Sequence, residues 1–342
     1  MPVQSQPVQP FVSIVMVVRN EDRKLRSKLN NLLELDYPQQ LTELVVVSDG
    51  STDGTEAILH EYARQPQVQV VLNQLPQGKA SGLNDALKVA KGEIVIFTDA
   101  RQKIEAGALR ALVENFADPQ VGGVSGELML GDPDAGENRQ GMGLYWQIEK
   151  KVRELESATG SMVGATGAFY GVRRELVVSV PPEILLDDVY IPMLVVRAGK
   201  RVVFERRARA WDVADQGAGR EFARKVRTLS GNYQLLQLAP WLLSGSNPIR
   251  MEFVSHKLLR LVVPFALLAC LGGSAFLQGP FYRTTLVLQL MFYAMSLVGM
   301  AQMKTGLFSR LGDAAYTFVV LNMAAIVAFA NFVSGRKTAW TR

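Results

Sequence analysis

The chain has 342 residues, 48% hydrophobic and 20% charged, with 37 Lys or Arg against 32 Asp or Glu and a formal net charge of +5. Such a length suggests roughly two structural units. The single Cys270 excludes an internal disulfide and a thiolate metal cluster, and with His60 and His256 the only imidazoles, any metal must rely on oxygen ligands.

In chain order, Phe11 to Val18 is a short apolar run that predicts a strand. Gln- and Pro-rich sequence precedes it where a secretory signal would carry basic residues, so the first 250 or so residues are expected to stay in the cytosol. Leu25, Leu29, Leu32 and Leu33 follow at helical spacing. Leu44 to Val47, Val68 to Leu72 and Glu93 to Thr98 predict further strands, separated by helices over Glu56 to Arg64 and Lys79 to Lys91. Four strands alternating with helices imply a mostly parallel sheet covered on both faces. The turn Asp49-Gly50-Ser51-Thr52-Asp53-Gly54-Thr55 joins a strand to a helix, which is where an open α/β sheet places a ligand, with a nucleotide the leading candidate.

Beyond Thr98 the pattern predicts a helix over Glu105 to Phe116, a strand over Val121 to Leu130 and a Gly- and Asp-rich loop from Gly131 to Gly143. A helix over Leu144 to Glu156, a strand over Thr166 to Val172 and Asp187-Asp188 leading into Val189 to Arg197 then supply a second wall for a cleft. There is no internal repeat. Arg220 to Leu243 is amphipathic, with Phe222, Val226, Leu229, Tyr233 and Leu236 near one face. It is expected to lie in the plane of a membrane interface with Trp241 at headgroup depth, an ordinary surface helix being the alternative.

Three uncharged runs follow, Leu261 to Tyr282, Thr284 to Met303 and Ala314 to Gly335. Each reaches the ~20 residues a helix needs to cross a bilayer core. Arg197 to Arg260 holds 13 Lys or Arg against 5 Asp or Glu, so this stretch carries +8 and the remainder −3. Basic residues abutting membrane favour anionic headgroups or a polyphosphate over nucleic acid. The divisions expected are a tail over 1–10, a cytosolic domain over 11–215, an interfacial segment over 216–256, a membrane region of about three helices over 257–335 and a basic tail over 336–342. Three spans after a cytosolic domain leave Arg336, Lys337 and Arg342 outside, against the positive-inside tendency, so either one run is re-entrant or the tail is an exception.

The candidate site residues each have a physical reading. Asp49 and Asp53 stand at a strand end where carboxylates accept bonds from a base N–H or ribose hydroxyls, although a plain Asp-Gly turn has the same look. Lys79 opens a helix behind Gly78, suited to a diphosphate, and Asn84 is expected to order the nucleotide loop. Asp99 ends an apolar strand, where a carboxylate needs a cation or hydrogen bonds. Asp187 and Asp188 read either as an acidic first helical turn or as a pair in which one charge raises the other's pKa.

Val18-Arg19-Asn20-Glu21, Asp49 to Asp53, Gly78-Lys79-Ala80 with Leu83-Asn84, Thr98-Asp99, Thr166-Gly167-Ala168 and Leu186-Asp187-Asp188 come in the order and approximate spacing of family 2 glycosyltransferases. The resemblance covers about residues 11 to 230, and the trailing spans resemble those of membrane-bound polysaccharide synthases such as cellulose and hyaluronan synthases. It implies an α/β fold of the GT-A nucleotide-diphospho-sugar transferase type, Rossmann-like with a mostly parallel sheet, followed by C-terminal transmembrane helices. It implies that Asp49 contacts the uracil of a UDP-sugar and that Asp99 holds Mg2+ or Mn2+. The family's Asp-x-Asp is here Asp99-Ala100-Arg101, so Arg101 replaces the second carboxylate and is placed to supply positive charge itself. Asp188 matches the second acid of the family's Glu-Asp pair, the general base, with Asp187 as its charged neighbour. Arg224-Lys225-Val226-Arg227-Thr228 takes the place of Gln-x-x-Arg-Trp, which leaves Arg224 and Arg227 to clamp a diphosphate and no indole for an acceptor sugar to stack on.

The function implied is inverting transfer of a sugar from a nucleotide sugar, UDP-linked, to a saccharide or lipid-linked acceptor in polysaccharide or glycolipid synthesis. The place implied is the plasma (inner) membrane, multi-pass, with the catalytic domain cytosolic. Partners are the nucleotide-sugar donor, the acceptor and membrane lipids, with an export or accessory subunit or a second copy of the chain also compatible. The alternative is a non-catalytic nucleotide-binding membrane scaffold of the same fold.

Overall fold

The computed structural model describes residues 2–131, 144–177, 179–212, 218–300 and 307–336. The expected loop after Gly131 and the tail beyond Arg336 lie outside them. β1 (Val12–Val18), β2 (Thr42–Asp49), β3 (Val68–Asn73) and β4 (Ile94–Thr98) pair in parallel, and all seven residues of β1 are buried. A strand read as Val-Ser-Ile-Val-Met-Val-Val has no polar face to show to water, so it belongs in the middle of a sheet covered on both sides.

Alternation along β1 divides the core in two. Ile14, Met16 and Val18 pack with α1 (Asp22–Leu33), α2 (Thr55–Tyr62) and α4 (Ala108–Val113). Val15 and Val17 face α3 (Lys79–Val89) and α6 (Asp187–Arg197). Because β1 lies between β2 and β4, the chain leaves it towards one side of the sheet and later returns to the other. The resulting crevice opens at the carboxyl ends of β1, β2 and β4.

The sheet does not stop at four strands. Its order is β3-β2-β1-β4-β7-β6-β8-β5, with β5 Lys103–Ile104, β6 Val121–Leu130, β7 Phe169–Arg173 and β8 Arg201–Asp212. β7 runs antiparallel to β4 and β6, β8 runs parallel to β6, and β5 closes the edge antiparallel to β8. The expected second wall is therefore the continuation of one sheet, which is mixed as a whole and wholly parallel only over β3-β2-β1-β4. β8 has no counterpart among the predicted elements, since its charged residues Glu205, Arg206, Arg207 and Arg209 interrupt the apolar alternation.

After α5 (Leu144–Thr159) and β8, the chain forms α7 (Ala218–Leu238), the short α8 (Arg250–Phe253), a π-turn over Val254–Leu258, α9 (Leu259–Phe276), α10 (Pro280–Met300) and α11 (Leu307–Val333). Among the described residues, three helical stretches, Arg250–Phe276, Pro280–Met300 and Leu311–Val333, are long and apolar enough to cross a membrane, with mean hydropathies of 1.9, 1.2 and 1.9. Phe276, Phe281, Leu297 and Val333 are among the large apolar side chains these helices leave exposed, more than a water-facing surface carries. The apolar face of α7, expected to rest on lipid, is instead taken by α11. Val226 and Leu229 pack against Ala324, Ala325 and Ala328, and Tyr233 stacks on Phe332 at 5.1 Å. Trp241 packs against the second core with the Arg197 guanidinium 4.8 Å from its ring.

Candidate active site

Asp49, the last residue of β2, is fully buried, and its carboxylate accepts the backbone N–H groups of Gln77 at 2.7 Å and Gly78 at 2.9 Å. Two glycines make this possible. Gly50 has φ +63°, and a Cβ there would stand 2.6 Å from the Pro76 nitrogen, while Gly78 has φ +96° immediately before α3. Only glycine takes such angles at no steric cost. The loop so pinned delivers Lys79 to the first position of α3.

Lys79 is the centre of the site. Its Nζ lies 3.0 Å from Asp99 Oδ1 and 3.1 Å from Asp187 Oδ2. Burial alone would lower the lysine pKa, but the charges of Asp187, Asp99 and Asp188 more than reverse this and hold it above the usual lysine range. Lys79 is thus a fixed cation. Asp99, just past β4, keeps 38% of its side chain open to solvent.

Asp187 and Asp188 open α6. Asp187 is buried, and Asp188 is half-buried against the turn Thr166-Gly167-Ala168, where a Cβ on Gly167 would stand 3.3 Å from Asp188 Oδ2. The Ala165 N–H donates to the Asp188 carbonyl at 2.7 Å and fixes the two segments together. Burial first, and then the charge of Asp187, pushes the Asp188 carboxyl up to about 6, against the lowering influence of Lys79 and Lys257. Beneath these acids Tyr170 of β7 stacks on Phe97 of β4, their rings 4.8 Å apart, a contact worth about 1 kcal/mol beyond area burial. Its buried hydroxyl has no hydrogen-bond partner among the described residues, and its pKa lies well above the usual value through burial and the charges of Asp187, Asp188 and Asp99.

The other sequence candidates fall elsewhere. Asp53 accepts the N–H groups of Thr55 at 3.0 Å and Asp22 at 3.2 Å, so it ties the start of α2 to that of α1. Asn84 exchanges two 2.8 Å hydrogen bonds with the Val180 backbone, so it anchors α3 to the segment before α6 instead of ordering the nucleotide loop. Arg224 and Arg227 lie on α7 without a side-chain partner among the described residues. Arg101 turns away from Asp99 to pair with Asp212 of β8 at 2.8 Å.

Lys28 is a site residue that sequence reasoning missed. From the buried face of α1 it donates to Thr98 Oγ1 at 3.0 Å and to the Gln102 carbonyl at 2.7 Å, which holds the turn that carries Asp99. Burial pushes its pKa down to about 7, with the Asp99 charge opposing. A lysine inside the stripe Leu25, Leu29, Leu32 was the available signal.

Among the described residues no group of three or more His, Cys, Asp or Glu side chains is arranged to hold a metal ion. Lys79 occupies the space between Asp99 and Asp187 that a cation would take. The half-open Asp99 carboxylate still fits an ion that takes one protein carboxylate and completes its shell with phosphate oxygens and water.

A parallel half-sheet with acids at its switch point, continued by antiparallel strands that bring in a second acid pair, is the GT-A glycosyltransferase fold. Residues 13–180 match the model of Glycosyl transferase family 2, so the chain carries a domain of that family. The poly-beta-1,6-N-acetyl-D-glucosamine synthase of Staphylococcus epidermidis is 23% identical over 234 residues, 67% of this chain and 56% of the relative. The synthase of the same name from Staphylococcus aureus (strain COL) is 23% identical over 229 residues, 66% of this chain and 55% of the relative. The chain thus spans a little over half the length of these curated relatives. Among solved structures, a mannosyltransferase from Pyrobaculum calidifontis in complex with GDP-Man and Mn2+ superposes with a TM-score of 0.78 at 24% identity, covering 98% of this chain and 91% of that one, which shows a shared fold.

Proposed function

We propose that the chain is an inverting glycosyltransferase that moves a sugar from a nucleoside diphosphate donor to an acceptor hydroxyl at the membrane surface. The observation that carries this reading is the Lys79 ammonium held between Asp99 and Asp187, beside a carboxyl at Asp188 raised to about 6. Lys79 is a fixed positive charge for the donor's diphosphate, and the N–H groups that open α3 add to it. Asp188 has the basicity to take a proton near neutral pH. In the transfer the acceptor oxygen bonds to the anomeric carbon, the carbon–oxygen bond to the diphosphate breaks with its electron pair going to the nucleotide, and the acceptor proton goes to Asp188. The Asp187 carboxylate, paired with Lys79, adds the charge that raises the base. A divalent cation held by Asp99 and the donor's phosphates would stabilise the charge that develops on the leaving diphosphate.

The nucleotide is read as UDP from the sequence resemblance; Asp49, expected as its base contact, is buried with both oxygens bonded to Gln77 and Gly78, and its part is to shape the loop that carries Lys79. The curated relatives, named for a glycan synthase, support polysaccharide synthesis. A nucleotide donor supports a cytosolic face of the inner membrane, with the three apolar helices as the anchor. The test is a panel of UDP- and GDP-sugars given to the purified chain with membrane acceptors, scored by nucleotide release and by the anomeric configuration of the product. Release with one donor and an inverted product is expected. A retained configuration would overturn the mechanism, and release with no donor would overturn the function.

A further inference from the structure

The turn that packs on Asp188 is tied to the head of the first apolar helix through one carboxylate. Glu156, in the last turn of α5, is buried. Its Oε2 accepts the Val163 N–H at 3.3 Å, and its Oε1 stands 2.6 Å from Nδ1 of His256 on the π-turn. The other ring nitrogen, Nε2, lies 3.1 Å from Glu149 Oε1, on the same face of α5. A neutral imidazole has one N–H, so only the doubly protonated ring donates to both carboxylates at once. Arg260 Nε donates to the His256 carbonyl at 2.7 Å, while Arg153 and Arg260 approach Glu149 at 3.4 and 3.6 Å. His256 is thus gripped from both sides.

From Val163 the chain runs straight onto the base. A Cβ on Gly164 would stand 3.2 Å from the Asp188 carbonyl oxygen, the Ala165 N–H donates to that oxygen at 2.7 Å, and Gly167 lies against the Asp188 carboxylate. The Thr166 N–H donates to Ser125 Oγ at 3.0 Å, which fixes the far side of the turn to β6. Burial is the first cause of the raised Asp188 carboxyl, and this turn supplies part of that burial. An unbroken set of hydrogen bonds and close contacts therefore leads from His256, through Glu156, to Asp188. The π-turn at its outer end is a rare backbone state that recurs at functional positions.

We propose that His256, acting through Glu156 and the turn over 163–167, is a positioning residue for Asp188, so that the head of the first apolar helix sets where the base stands. This inference rests on the transferase reading above and adds the residues that aim its base. His256 acts through other residues and takes no part in the bonds made and broken.

The experiment uses the full chain in detergent and measures donor-dependent nucleotide release and UDP and GDP affinities for His256→Phe, Glu156→Ala, Glu156→Gln and the His256→Phe, Glu156→Ala double variant. His256→Phe and Glu156→Ala should each lower kcat at least about tenfold, since a displacement of about 1 Å can cost a hundredfold. Nucleotide affinity should be unchanged, which also reports that the variants fold. Glu156→Gln should keep most of the wild-type rate, because its amide oxygen still accepts the Val163 N–H and its amide N–H donates to a neutral ring. The double variant should be no slower than Glu156→Ala, because residues on one path do not add. In His256→Phe the acid limb of kcat should move to lower pH. The charged groups that act on Asp188, namely Asp187, Lys79, Lys257 and Asp99, are all kept. Loss of a cation at 256 would by itself raise the Asp188 carboxyl, so a limb that moves down reports a loosened turn and lessened burial. An unchanged kcat in Glu156→Ala, additive losses in the double variant, or a limb that stays or moves up overturns the proposal. A fall in nucleotide affinity alongside kcat marks general damage and overturns it too. Wild-type release with unaltered variants sinks this inference alone, whereas no release by the wild-type chain with any donor sinks the transferase reading.

Discussion

The pair Asp187 and Asp188 shows how one residue sets the chemistry of the next. Asp188 is pushed up to about 6 by burial and by Asp187, so it loses its proton as pH rises through that value, and a reaction that needs it as a base fails below it. Asp187→Asn removes a charge that raises Asp188 and leaves Lys79 free to act on it more strongly. Both effects lower its pKa, so the acid limb of kcat against pH should move to lower pH in the variant, and an unmoved limb would mean that another group is titrating. Lys28 carries the opposite sign. Its folded pKa of about 7 lies below its ordinary 10.5, so between these values the unfolded chain holds more protons than the folded one. Stability should therefore rise as pH climbs through that window, and the Tm of Lys28→Met should lack this rise. Lys79, Asp99, Asp187 and Asp188 were legible because each sits at the end of a strongly patterned element. Lys28 and Tyr170 were not: a lysine inside a leucine stripe is an anomaly in the pattern, but the partners that give Lys28 its role lie 70 and 74 residues away, where no local pattern announces them.

At the level of elements, the first hundred residues could be read because each strand of the parallel half is built on a short apolar run and the turns after β2, β3 and β4 carry Gly or Asp. Strand β8 escaped because pairing with β6 and β5 holds it in place despite its run of charges. The face of α7 was recognised as apolar, but sequence alone could not tell lipid from α11 as its cover. The turn after β2 is where an element-level change should be most damaging. Gly50→Ala forces a side chain into φ +63° and against the Pro76 backbone, a strain of about 1–3 kcal/mol before any clash is relieved. Because Asp49 holds the same loop, the variant should lose nucleotide affinity as well as thermal stability. Wild-type affinity by calorimetry would show that the loop does not form the donor site.

In the whole molecule, a catalytic domain and the three apolar helices seen among the described residues are joined through α7, the π-turn and α5, so the site and these helices are parts of one structure. The acids that the sequence places far apart, at 99, 187 and 188, meet at Lys79, while Asp49 shapes the loop that carries it. The most direct test of this convergence is to measure donor-dependent nucleotide release and nucleotide affinity together for Asp188→Asn in the full chain. The account predicts that release falls by at least about a hundredfold, as loss of a general base does, while affinity stays within about twofold of the wild type. Release near the wild-type rate would contradict it.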